Sequence, residues 1–119
     1  MLTVCKTPLR VSFFGGGTDY PEYFNNNPAA VLGTSINLYI YLSALKMEDF
    51  CEQRYRLMYG TPESVNQIDD IQHPVIRNVL SIEKYTAPLN LSVMSDVPSG
   101  TGLGSSSSFT VGMLNLIKS

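Results

Sequence analysis

Alternation of apolar with polar or aromatic residues predicts several extended segments in this chain. The clearest lies within residues 30–45, where one face carries Ile36, Leu38, Ile40 and Leu42. Weaker alternation predicts an extended pair within residues 2–14 and a strand over residues 89–93. Residues 54–59 form a further candidate strand, whereas the polar residues 60–72 predict a loop or a frayed turn.

Two segments have apolar residues at helical spacing instead. Residues 74–84 place four of them on one face: Val75, Ile76, Val79 and Leu80. A longer stripe follows residue 108, and it consists of Phe109, Met113, Leu116 and Ile117, widened by Val111 and Leu114. We therefore expect this last helix to be covered on most sides. A short helical turn at Pro21 should be capped by Thr18 or Asp19. Early strands and few helices indicate the α+β class.

The composition describes a soluble globular chain. It has 119 residues, of which 44% are hydrophobic and 15% charged, with a net charge of −2. The basic residues do not cluster and no apolar run is long enough to span a membrane, so we expect neither a nucleic-acid nor a membrane partner. Lys6 and Arg10 interrupt the N-terminal apolar stretch, which argues against a signal peptide and favours the cytoplasm. Cys5 and Cys51 lack metal-site spacing and are expected to be reduced thiols.

Residues 96–108 read DVPSGTGLGSSSS and connect the predicted strand to the last predicted helix. The first N–H groups of a helix have no internal partner, and the helix dipole adds positive charge there. Glycines let the backbone come close to a phosphate, and serine hydroxyls can contact oxygen atoms or Mg²⁺. The stretch therefore predicts a phosphate loop, although it lacks the lysine of a Walker A motif. An ordinary serine-capped helix after a flexible turn is the alternative.

The segment that begins at Pro98 resembles the ATP-binding signature of the GHMP kinases, which reads P-x-x-x-G-L-G-S-S followed by a small residue. Ser107 stands where alanine is common in that family. The segment KTPLRVSFFGGGTDYPEYF is similar to the opening of the sugar-kinase branch, and its GGGTD resembles the D-glycero-D-manno-heptose 7-phosphate kinases. This resemblance covers nearly the whole chain but only the N-terminal part of such an enzyme. It implies an α+β fold with a mixed or antiparallel sheet and helices packed on one face.

The resemblance also implies a set of site residues. The ATP phosphates would bind at Pro98, Gly100, Gly102, Leu103, Gly104, Ser105, Ser106 and Ser107. Ser106 would also contact Mg²⁺, and Ser108 offers a further hydroxyl. The sugar would bind at Gly16, Gly17, Thr18 and Asp19, with Asp19 as its carboxylate or, alternatively, as a helix cap. Arg10 would face the transferred phosphoryl group or a sugar phosphate, unless it is a surface arginine. His73 is expected at a helix start rather than as a general base.

The function implied is Mg²⁺- and ATP-dependent phosphorylation of the anomeric hydroxyl of a heptose 7-phosphate. A kinase for another sugar, such as fucose or galactose, and a non-catalytic truncated nucleotide-binding fragment are the alternatives. Residues 1–119 are expected to be an ATP- and sugar-binding N-terminal domain that is incomplete at its C-terminal end. The isolated chain should therefore be inactive, and it should either self-associate or need a missing C-terminal half.

Overall fold

A five-stranded mixed sheet organises the fold in the computed structural model, which describes residues 1–49 and 52–119. The strands are β1 (Leu2–Phe14), β2 (Leu32–Lys46), β3 (Tyr55–Met58), β4 (Pro62–Val65) and β5 (Leu89–Ser95). Their order across the sheet is β1-β2-β5-β3-β4, and β3 and β5 are the parallel pair. The helices are α1 (Pro21–Phe24), α2 (Pro74–Ile82) and α3 (Ser105–Lys118). The α+β prediction is confirmed.

Residues 2–14 form one long edge strand, so the prediction of an extended pair is wrong. β1 runs antiparallel to β2 from Leu2↔Leu45 to Phe14↔Leu32, with a register irregularity between Pro8 and Arg10. Proline has no N–H to donate to a ladder, so it is tolerated on an edge strand and at such irregularities. No turn residues separate the two ends of this segment, and the chain continues in one direction through the proline.

The polar segment 60–72 is more ordered than its composition predicts. β4 pairs with β3 through four residues, and a 3₁₀ turn follows at Ile68–Asp70. The strand prediction failed here because β4 is short, polar and half-exposed at the sheet edge, so it has little hydrophobic alternation. The predicted strands at residues 54–59 and 89–93 and the helix that begins at Pro74 are present.

The core lies between one face of the sheet and the helices α2 and α3. Alternate residues of the central strands point into it, and the buried set includes Ile40, Leu42, Leu57, Leu89 and Leu91. Helix α2 contributes Ile76, Val79 and Leu80, and α3 contributes Phe109, Met113 and Leu116. Val111 is 51% exposed, so the buried stripe of α3 is narrower than predicted. Among the residues described, no helix has the length and apolarity needed to cross a membrane.

Gly112 allows α3 to lie unusually close to the sheet. A Cβ atom at this position would be 2.6 Å from Leu42 Cδ1 and 2.7 Å from Thr7 Oγ1. One turn earlier, the buried Ser108 hydroxyl donates a hydrogen bond of 2.8 Å to the carbonyl of Pro8. These contacts fix the N-terminal half of α3 against β1 and β2, and thereby fix the loop that precedes the helix.

Candidate functional site

The loop between β5 and α3 has the backbone conformation that its glycines predict. Gly100, Gly102 and Gly104 have φ values of 81°, 74° and 74°, in the left-handed region that side chains disfavour. Gly104 is the N-cap residue directly before α3, and no side chain caps the helix there. A glycine loop therefore leads directly into an open helix N-terminus.

The N–H groups in the first turn of α3 face outward. The first intrahelical hydrogen bond runs from Ser108 N to Gly104 O at 3.0 Å. Within the part of the chain that the structure describes, nothing accepts a hydrogen bond from the N–H groups of residues 105–107, and the side chains of Ser106 and Ser107 are exposed. The serine-capped alternative is wrong, since the cap is a glycine. Ser108 departs from expectation because its hydroxyl is buried against β1.

Two neighbouring strands hold the ends of this loop. At its end, Arg10 N donates to Leu103 O at 2.9 Å. At its start, Asp96 N donates to Tyr39 O at 3.0 Å, and the Asp96 carboxylate accepts from Tyr39 N at 2.8 Å. The sequence reasoning missed Asp96, whose only signal is its place between a strand and Pro98. Both anchors restrict where a ligand of the loop could lie.

The Arg10 side chain lies directly against Gly104. A Cβ atom at Gly104 would be 2.9 Å from both Cγ and Nε of Arg10 and 3.2 Å from its Cζ. A guanidinium at the positive end of a helix dipole is unfavourable unless an anion binds between them. Within the described part of the chain, no carboxylate lies within ion-pair distance of Arg10. The Arg10 side chain thus lies beside the N-terminus of α3 without a carboxylate partner among the described residues.

The glycine segment before α1 is built around a contact with Ala30. Gly15 has φ 89°, and a side chain there would collide with the Ala30 carbonyl. Thr18 Oγ1 donates to Gly15 O at 2.7 Å and to Ala30 O at 3.3 Å, so its hydroxyl holds the turn. The prediction that Thr18 or Asp19 caps α1 is wrong, because the cap residue is Tyr20, which makes no side-chain cap bond.

Asp19 does not cap α1, and it lines the same cavity as Arg10. A cavity of about 350 Å³ is lined by Arg10, Asp19 and Gly16 together with Ser12, Tyr20, Val31 and Gly33. Among the predicted sugar-binding residues, Gly17 and Thr18 belong to the same turn but do not line this cavity. One cavity thus combines a cation, a carboxylate and exposed backbone, which are groups that can form charge-assisted hydrogen bonds.

A second cavity, of about 260 Å³, borders the glycine loop and the start of α3. Ile40, Val93 and Phe109 give it apolar walls, and Ser105 and Ser106 lie at the helix N-terminus that borders it. His73 also lines it, from the first residue position before α2. The sequence placed His73 at a helix start, and this is confirmed.

A hydrogen-bonded cluster lies next to His73 and accepts a hydrogen bond from its backbone N–H. Tyr59 OH donates to Glu63 at 2.5 Å, and Glu63 also accepts from the N–H groups of Gln72 at 2.7 Å and His73 at 3.3 Å. Burial alone would raise the pKa of Glu63, but these hydrogen bonds outweigh it and hold that pKa below its ordinary value. Burial and the Glu63 carboxylate raise the pKa of Tyr59 to about 12. Burial lowers the pKa of His73, although the charge of Glu63 opposes this.

The described residues do not form a metal site by themselves. Among residues 1–49 and 52–119, no three His, Cys, Asp or Glu side chains converge. Asp69 and Asp70 lie in the 3₁₀ turn before α2. Cys5 is a free thiol, in agreement with prediction, and Cys51 lies outside the described residues.

The glycine loop lies directly before α3, and β1 connects it to the cavity that an arginine and an aspartate line. Residues 73–119 match the GHMP kinases N terminal domain. The chain is also 31% identical over 121 aligned residues to D-glycero-alpha-D-manno-heptose 7-phosphate kinase of Campylobacter jejuni. The chain is therefore similar to GHMP kinases in both comparisons. The alignment includes 92% of this chain and 35% of that kinase, so the chain spans about a third of the relative's length.

Solved GHMP kinases share the fold. A D-glycero-D-manno-heptose 1-phosphate kinase from Bacteroides thetaiotaomicron superposes with a TM-score of 0.78 at 22% identity, over 96% of this chain and 40% of that one. The mevalonate kinase of Methanococcus jannaschii gives a TM-score of 0.73 at 19% identity, over 99% of this chain and 40% of that one. The GHMP fold expected from the sequence, with helices packed on one face of a mixed sheet, is confirmed.

Proposed function

We propose that this chain supplies the ATP- and sugar-binding part of a kinase that phosphorylates the anomeric hydroxyl of a heptose 7-phosphate. The observation that carries the proposal is the position of Arg10. Its backbone and side chain contact the phosphate loop at Leu103 and Gly104, and the same residue lines a cavity with Asp19. One cation would therefore stand between the phosphates of the donor and the hydroxyl groups of the acceptor.

On the donor side, the outward N–H groups of residues 105–107 would bind phosphate oxygens of ATP. The left-handed glycines keep side chains out of their way, and Arg10 adds positive charge. The exposed Ser106 hydroxyl is a hard oxygen ligand, which suits Mg²⁺ held mainly by phosphates. When bound, the magnesium would neutralise charge that develops on the transferred phosphoryl group.

On the acceptor side, Asp19 would orient the sugar. An ionised carboxylate accepts hydrogen bonds from two hydroxyl groups, and such charge-assisted bonds are among the strong ones. Arg10 would then face either the 7-phosphate or the transferred phosphoryl group. Phosphoryl transfer depends mainly on positioning and charge neutralisation, and this arrangement provides both.

The proposal for the whole reaction concerns a kinase organised like the relatives, of which this chain spans 35–40%. Residues 1–119 would be its N-terminal ATP- and sugar-binding domain. We place the enzyme in the cytoplasm, where ATP and sugar phosphates are available. A sugar phosphate and ATP are the partners that the relatives' activities support.

The test compares acceptors under one condition. A purified kinase that contains residues 1–119 together with a C-terminal half organised like that of the relatives would be mixed with ATP and Mg²⁺. Heptose 7-phosphate, heptose 1-phosphate, galactose and fucose would be added in turn while ADP release is recorded. We expect turnover with heptose 7-phosphate only. Asp19→Asn should raise the KM for the sugar, whereas the control Asp69→Asn, in the 3₁₀ turn before α2, should not. Preference for an unphosphorylated hexose would contradict the proposed substrate. ATP binding without turnover would favour a non-catalytic nucleotide-binding fragment.

A further inference from the structure

The carboxylate of Asp96 takes the place of a backbone acceptor at the end of β5. In an antiparallel ladder, every second pair of residues exchanges two hydrogen bonds. The register of β2 and β5 ends at Ile40↔Ser95, so Tyr39 faces residue 96 in the next pair. Asp96 N donates to Tyr39 O at 3.0 Å, as the ladder requires. The return bond differs, because Tyr39 N donates at 2.8 Å to Oδ2 of the Asp96 side chain instead of to its carbonyl.

The residues after Asp96 prevent the ladder from continuing. In the same register, the next residue to exchange hydrogen bonds with β2 would be Pro98, opposite Asn37. Proline has no N–H to donate, so this pair cannot form both of its bonds. Val97 N donates instead to Oγ of Ser95 at 3.3 Å. Asp96 is therefore the last point at which β2 holds the chain before the glycine loop.

The glycine loop is thus fixed at two points, one on each neighbouring strand. Asp96 binds β2 at its start, and the Leu103 carbonyl binds Arg10 N of β1 at its end. Between these points, a Cβ atom at Gly100 or Gly102 would meet no atom within 4 Å. Glycine has more conformational freedom than any other residue, and here it has no close neighbours to restrict it. The conformation of the loop therefore depends on how its two ends are held.

The Asp96 carboxylate lies away from the open helix N-terminus. Its Oδ2 also accepts from the Tyr41 hydroxyl at 3.4 Å. Tyr41 alternates with the buried Ile40 and Leu42, so its side chain lies on the face of the sheet opposite the core. A carboxylate repels phosphate, and this one is bound on the opposite face from α3. Any contribution of Asp96 to phosphate binding must therefore pass through the backbone of the loop.

We propose that Asp96 is a positioning residue for ATP, because its bonds to β2 hold the glycine loop in the conformation that receives the phosphates. The inference rests on the proposed function, since it takes the glycine loop as the phosphate site. It deepens that function by assigning part of the affinity for ATP to a carboxylate that contacts no phosphate. The sign of the effect is diagnostic. Removal of a nearby negative charge alone would strengthen ATP binding, whereas loss of a positioning residue weakens it.

Substitutions at position 96 separate the hydrogen bonds from the charge. A kinase that contains residues 1–119 together with a C-terminal half would be titrated with ATP in a calorimeter. Asp96→Ala removes the acceptor for Tyr39 N, and we expect the Kd for ATP to rise about 5-fold, as for a loop that holds its binding conformation one fifth of the time. Asp96→Asn keeps an acceptor oxygen without the charge, so its Kd should stay within about 2-fold of the wild-type value. The KM for the sugar should not change in either variant.

Two further variants serve as controls. Asp70→Ala removes the same charge from the 3₁₀ turn before α2 and should leave the Kd for ATP unchanged. Tyr41→Phe removes only the longer bond to Asp96 and should raise that Kd less than about 2-fold. Hydrogen exchange gives a readout without nucleotide, because the amides of residues 99–104 should exchange faster in Asp96→Ala than in any other variant. Melting temperatures would be measured for all four variants.

Each outcome decides a different point. If the wild-type kinase binds ATP and folded Asp96→Ala binds it equally well or more tightly, the inference is overturned and the proposed function stands. Equal losses of ATP and sugar affinity in Asp96→Ala would also overturn it, since they indicate a general loss of structure. If Asp96→Ala does not fold, Asp96→Glu decides. It keeps the charge but moves the acceptor by one methylene, so the Kd for ATP should rise about 3-fold, and an unchanged value would overturn the inference. A wild-type kinase that binds no ATP would overturn the proposed function itself.

Discussion

Alanine substitutions at two loop glycines that share one backbone conformation should lower the free energy of unfolding by different amounts. Gly102 and Gly104 both have φ 74°, and a left-handed conformation costs a non-glycine residue about 1–2 kcal/mol. A Cβ at Gly102 would meet no atom within 4 Å, whereas one at Gly104 would lie 2.9 Å from Arg10 Cγ and Nε. Displacing Arg10 costs about 0.5–1.5 kcal/mol, the value of an off-rotamer side chain. We therefore expect Gly104→Ala to lower the free energy of unfolding by that much more than Gly102→Ala.

A double-mutant cycle isolates the contact. Equilibrium urea unfolding would be measured for both glycine variants in the wild-type and Arg10→Ala backgrounds. Without the arginine side chain nothing collides with the new methyl group, so the two alanine variants should then cost the same within about 0.5 kcal/mol. If the additional loss in Gly104→Ala persists in the Arg10→Ala background, the packing of Arg10 against Gly104 is not its cause and the reasoning is refuted.

Three further predictions follow from the site. Ser106→Ala should weaken binding of Mg²⁺-ATP several-fold more than binding of metal-free ATP in calorimetric titrations. Equal losses of affinity would show that the hydroxyl does not bind the metal. Asp19→Asn should retain ATP affinity and the melting temperature, since Asp19 does not cap α1, but should weaken sugar binding about 10-fold or more. Because the folded pKa of His73 lies below its unfolded value of 6.5, the unfolded chain binds this proton more readily. The free energy of unfolding should fall as the pH drops below 6.5. In His73→Asn, the free energy measured by urea unfolding should depend less on pH across that range.

The elements that bury one face were predictable from the sequence, because burial imposes a period on apolar residues. β2 and β5 show a period of two, and α2 shows a helical period. The short β4 was missed since its stability comes from pairing with β3 at the sheet edge rather than from its own apolar side chains. Val111 was assigned to the buried stripe of α3, but the packing of that helix leaves it 51% exposed.

The candidate site was predictable in the parts where backbone groups, rather than side chains, would contact a ligand. Glycines alone readily adopt positive φ, so the loop conformation could be inferred from residue type at Gly100, Gly102 and Gly104. Pairwise geometry could not be inferred in this way. The inward hydroxyl of Ser108 and the anchoring carboxylate of Asp96 depend on contacts with distant strands, at Pro8 and Tyr39 respectively, which no local pattern encodes.

The edge strand β1 links the two halves of the candidate site. An edge strand leaves N–H and carbonyl groups unpaired on its outer side, and such groups bind whatever chain lies alongside. Here the Pro8 carbonyl accepts from the Ser108 hydroxyl, and Arg10 N donates to the Leu103 carbonyl, so backbone groups of β1 bind both the loop and the first turn of α3. The Arg10 side chain then lies against Gly104 and lines the cavity that contains Asp19. Because all these contacts come from residues close together on one strand, a change in the register of β1 would move the glycine loop relative to the cavity that contains Asp19.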